Sequence, residues 1–108
     1  MRMDALRGPD AGTLLIRALR SQAMTASVTM HVESIACTPW ASATFVGTQH
    51  RLTIAADPVP GLREWIDQLP EAGFAIRGHI VADLSVDRVE AIDGRTHATV
   101  AILTLLDA

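Results

Sequence analysis

The 108 residues predict an α+β fold: a two-layer domain whose mostly antiparallel sheet of about five strands carries helix 60–69 on one face, preceded by an N-terminal amphipathic helix. Three observations carry that prediction. "FAIRGHIVADLSV" (74–86) alternates apolar and other residues with the period of a strand. "AIDGRTHATVAILTLL" (91–106) holds Asp93-Gly94, a strong short hairpin signal, between two such runs. "DPVPGLREWIDQL" (57–69) sets Leu62, Trp65, Ile66 and Leu69 on one helical stripe, with Pro60 in a first-turn position.

Taken in order, Asp10 is a plausible N-cap for a helix over 11–22, whose Ala11, Leu14, Leu15, Ala18 and Leu19 face one way while Arg17, Arg20 and Ser21 face the other. Met24 is a possible internal start. The reading is therefore a basic amphipathic extension over 1–23, docked on a core edge or a partner, and an α+β domain complete over 24–108. Val28, Met30 and Val32 alternate with Thr29, His31 and Glu33 as a strand, which Pro39 in "ACTPW" is expected to end. A second hairpin is placed with Gly47-Thr48 at its turn, so that Phe45 faces His50, Ala43 faces Leu52 and Ala41 faces Ile54. A short helix from Thr38 to Gly47 is the rival for that segment.

Strand 74–86 follows, with Gly78 inside it to admit a close neighbour. Pairing outward from Asp93-Gly94 joins Glu90 to His97, Arg88 to Thr99, Val86 to Ala101 and Leu84 to Leu103. The core face is then Leu84, Val86, Ala101, Leu103 and Leu105. Val81, Val100, Ile102 and Leu106 are left on the second face as an apolar patch, the candidate interface of a homodimer or a docking site for another protein. Helix 11–22 covering that patch within one chain is the competing explanation.

Composition narrows the function. Hydrophobic residues at 49% and charged residues at 19% describe a globular chain rather than a disordered one. All nine basic residues are arginine, a bias of GC-rich, bacterial genomes. The net charge of −3 argues against nucleic acid, which requires a basic face. Residues 1–23 hold four arginines against two aspartates, net +2, and the remainder holds five basic against ten acidic residues, net −5. Leu14-Leu15-Ile16 is too short for a secretory apolar region, and no run approaches the ~20 apolar residues of a membrane span. One cysteine forms no internal disulfide, so a cytoplasmic location is the expectation.

The second sheet face also gathers His31, Glu33, Arg51, Arg77, His79 and Asp83. Of these, Arg51, Arg77, His79, Asp83 and His31 are the candidate binding residues for an anionic small molecule, arginine being suited to carboxylate or phosphate. The plainer account is that a half-wet sheet must carry polar residues there. No catalytic residue is assigned. Neither a metal nor a cofactor is expected, since His79 and Asp83, four apart on a strand, stand roughly 13 Å apart at ~3.3 Å per residue. Cys37 reads as an ordinary half-buried thiol, His50 as an edge-of-core residue, Trp65 as core and Trp40 as a lid over the core. A non-catalytic self-associating or partner-binding module is the leading reading, and a small-molecule site the alternative.

Overall fold

A computed structural model describes residues 10–107. Helix α1 (Ala11–Thr25) is capped by Asp10, whose Oδ1 accepts from the Thr13 amide at 2.9 Å. Strands β1 (Met30–Ala41) and β2 (Val46–Ala56) form one hairpin. Helix α2 (Leu62–Gln68) runs on into a short 3₁₀ turn at Leu69–Glu71, and β3 (His79–Ile92) with β4 (Arg95–Leu106) forms the second hairpin. The four strands lie antiparallel in the order β1-β2-β4-β3, so β1 and β3 are the edges. The fold is α+β, with four strands rather than five.

The lost strand has one cause. Pro39 does not end β1, because β1 is an edge strand and a missing donor on its free side costs no ladder bond. Strand β1 therefore runs from the first expected strand on through 34–41, and the segment expected as a separate strand over 41–46 becomes its end and the turn. Its turn is Ser42–Phe45, not Gly47-Thr48: the Ser42 amide donates to the Phe45 carbonyl at 2.8 Å, and Ser42 Oγ accepts from the Thr44 and Phe45 amides. The register changes with it, so that His50 faces Cys37 rather than Phe45. Gly47 serves another purpose, since a Cβ there would run into the Thr104 carbonyl oxygen and Leu105.

The Asp93-Gly94 turn forms where expected, with φ of 51° and 77°. Glu90 pairs with His97 and Arg88 with Thr99, as the sequence indicates. Beyond them β3 is bulged twice, between Val81 and Asp83 and between Val86 and Arg88, which lets its 14 residues match the 12 of β4. A register shift of one residue turns a strand over. Val86 accordingly faces Val100 and Leu84 faces Ile102, and it is Ala98, Val100 and Ile102 that are buried. Strand β3 itself starts at His79. Gly78 has φ of 79° in the turn before it, and a Cβ there would meet nothing, so its role is conformational freedom rather than a close approach.

Both helices cover the same sheet face. Leu15, Leu19 and Ala23 of α1 join Leu62, Trp65 and Ile66 of α2, Leu69 of the 3₁₀ turn, Leu52 and Ile54 of β2, and Val100 and Ile102 of β4 in one core. Leu15 and Leu19 are wholly buried, so the first helix packs into the core of the sheet. The intramolecular cover is the arrangement found. A hydrogen bond from Trp65 Nε1 to Gln22 Oε1 (3.2 Å) ties the two helices together.

Candidate functional site

Among the described residues nothing is layered on the opposite face of the sheet, and its chemistry runs in rows across the strands. At the His97 end, Glu33 in the β1 bulge reaches the His97 ring at 3.0 Å, spanning β2 above the fully buried Ala55. Toward the middle, Arg51 of β2 reaches Asp87, the bulged residue of β3, at 3.3 Å, spanning β4 in the row that holds Ala101. Ser85 Oγ donates to the other Asp87 oxygen at 3.0 Å. Small alanines in the bridged strand leave room for both pairs. The last row is apolar: Trp40, Gly47, Leu105 and Ile80 stand side by side across β1, β2, β4 and β3.

The five candidate ligand residues are not brought together. Arg51 is engaged with Asp87. Asp83 lies exposed on the same face but in another row, opposite Leu103, and His31 is exposed at the far end opposite Ala55. Arg77 sits in the loop before β3 and shares a shallow hollow with His79, Phe74, Ile76 and Ile80, so that Arg77 and His79 are the only two of the five that meet. His79 begins β3 opposite Leu106, in register with the helix-covered side.

The candidate interface divides as well. Val100 and Ile102 have no exposed surface and belong to the core, Val81 packs against that core, and only Leu106 is open, at 52% exposure. The sequence reading put them on the wet face because it carried the tip register past the bulges. Trp40 is likewise no lid on the core; it lies half-buried on the open face. Trp65 is core, as expected.

A polar cluster the sequence reading missed lies on the helix-covered side. The Cys37 thiol is 3.3 Å from His50 Nδ1, and His50 Nε2 is 2.8 Å from Thr104 Oγ1. Thr104 donates to the Thr48 carbonyl at 3.5 Å. His50 and Thr104 are buried, whereas Cys37 is exposed on the edge strand. Burial pushes the His50 imidazole below its ordinary value, against the pull of the Asp10 carboxylate. Burial, then Asp10, raises the Cys37 thiol. The only signal in the sequence was the pairing register, which depended on the turn. No group of three or more His, Cys, Asp or Glu side chains among the described residues is placed to hold a metal ion. No described helix is long and apolar enough to cross a membrane.

No family model matches the chain, and no curated protein matches it. Among solved structures, a chain described as "Virion of native gene transfer agent (GTA) particle" superposes with a TM-score of 0.63 at 10% identity, covering 90% of this chain and 97% of that one. The two share a fold.

Proposed function

We propose that this chain is a non-catalytic structural module that associates with a second copy of itself through the apolar end of its open sheet face. The observation that carries the reading is the row Trp40, Gly47, Leu105 and Ile80, in which Trp40 is half-buried and Ile80 43% exposed, with Phe45 45% exposed in the adjoining turn. Burying each such side chain is worth roughly 1.5–3 kcal/mol, and a two-fold contact buries each twice. The ion pairs further along the same face would form its polar rim. Association by edge pairing is disfavoured, since Pro39 and a bulge blunt β1 and two bulges blunt β3. The shared fold with a virion chain supports an assembly role, because a virion is built from chains in contact.

Sedimentation velocity tests the proposal. The full chain is expected to be a dimer at micromolar concentration, and Ile80→Glu and Trp40→Glu to give folded monomers with unchanged far-UV circular dichroism. The dissociation constant should rise by about ten- to a hundredfold for each substitution. A wild type that stays monomeric at about 100 μM overturns the reading.

A further inference from the structure

We propose that the first nine residues of this chain dock on an apolar row of the sheet that neither helix covers, with Met3 and Leu6 seated on Val46 and Leu106. Carrying the register to the strand ends locates the row. Ala41 of β1 stands opposite Val46 of β2, and Leu106 of β4 stands opposite His79 of β3. One step beyond the pair Gly47 and Leu105, the same register sets Val46 beside Leu106. These positions share the side of the sheet that holds His50, Leu52, Ile102 and Thr104, all of them buried. Val46 is nevertheless 53% exposed and Leu106 52% exposed. The helix layer therefore stops short of this last row.

Where α1 begins decides the occupant. Gly12, in its first turn, lies against β1: a Cβ there would stand 3.4 Å from Ile35 Cδ1 and 3.8 Å from Cys37 Sγ. Ala41 is four residues further along β1, roughly 13 Å at ~3.3 Å per residue. Asp10 caps the helix and has an extended backbone (φ −76°, ψ 175°), so α1 does not run on into the residues before it. Nine residues reach up to ~30 Å, and the row is about 14 Å wide, three strand spacings of ~4.8 Å. The segment "MRMDALRGP" brings Met1, Met3, Ala5 and Leu6 to a row whose large apolar side chains are Val46 and Leu106. Methionine, unbranched and adaptable, suits such an irregular edge. A second copy is the poorer occupant, because two large apolar side chains fall well short of the ~800 Å² per partner of a standard interface. Self-association uses the other side of the sheet, so the two proposals stand or fall separately.

Methyl NOEs on the full chain test the contact directly. They are expected between the methyls of Met3 or Leu6 and those of Val46 or Leu106. In a mixture of labelled and unlabelled protein, they should be absent from spectra filtered for contacts between different chains. The contact should also appear as energetic coupling. Leu6→Ser and Leu106→Ser should each lower the folding equilibrium constant about tenfold, as the loss of one partly buried apolar side chain does. The double variant should lose no more than about thirtyfold, where independent sites would lose about a hundredfold. Absence of the NOEs overturns the proposal. NOEs found only between chains overturn it too, and give the row to a second copy. Single-variant effects that multiply in full also overturn it. Should Leu106→Ser fail to fold, the wild-type NOEs decide.

Discussion

The two hairpins of this molecule differ in how their turns are encoded. The β3–β4 turn rests on two residues, Asp93 and Gly94, whose left-handed backbones are demanded by the turn itself. That demand is local, and the pairing next to it is legible to the residue. The β1–β2 turn instead uses Ser42, whose hydroxyl accepts two amides in place of a glycine's freedom. Serine does this in many contexts, so it signals weakly, and the nearby Gly47 draws the eye for a turn it does not make. Gly47 is needed because β4 passes too close for a side chain. A glycine therefore marks either a backbone angle or a close approach, and only tertiary structure says which.

Substitutions can separate the two cases. The largest effect is expected in β4, the strand against which both hairpins close: Ile102→Glu buries a charge where no surface is exposed, and the chain should lose cooperative unfolding altogether. Had Ile102 lain on the wet face, the variant would be a folded protein. Gly47→Ala comes next, because the added methyl meets backbone that cannot swing away; a loss of about 3 kcal/mol or more in urea unfolding is expected. Gly94→Ala strains a positive φ but meets no atoms, so it should cost only about 1 kcal/mol. Equal costs at the two glycines would break the distinction between angle and approach.

The same contrast explains how far the sequence can be read. Helix α2, its stripe and the Asp10 cap on α1 were legible, since each depends on neighbours within a turn or two. The bulges were not. In β3, inward residues Val81 and Leu84, and again Val86 and Val89, stand three apart instead of two; in β1, Val32 and Ile35 do the same. A strict alternation carried through such a spacing turns the partner strand over, which is how Val100 and Ile102 came to be read as an outer patch. The site suffered more. Arg51, Asp83 and His31 do share the open face, but their rows differ, and row membership is set by register across strands rather than by any local pattern. The Cys37–His50 contact joins residues 13 apart through the misplaced turn, and Thr104 reaches it from 54 residues away.

The smallest expected effect is a pH dependence that reports on that buried contact. His50 is held below its ordinary value chiefly by desolvation, so at mildly acidic pH the unfolded chain binds a proton there that the folded chain does not. Stability then rises with pH wherever the unfolded state holds the extra proton. The contribution is fully present above the ordinary histidine range, near pH 6.5, and is lost as pH falls through the lower folded value. Asp10 has the same sign but acts lower, below its ordinary 3.8, since the Thr13 hydrogen bonds hold its carboxylate charged. Two steps of acid destabilisation are therefore expected, and His50→Gln should remove the upper one alone. Melting temperatures of both proteins between about pH 7.5 and 4.5 make the comparison. If the two curves run parallel through that range, the imidazole is not held neutral by the fold.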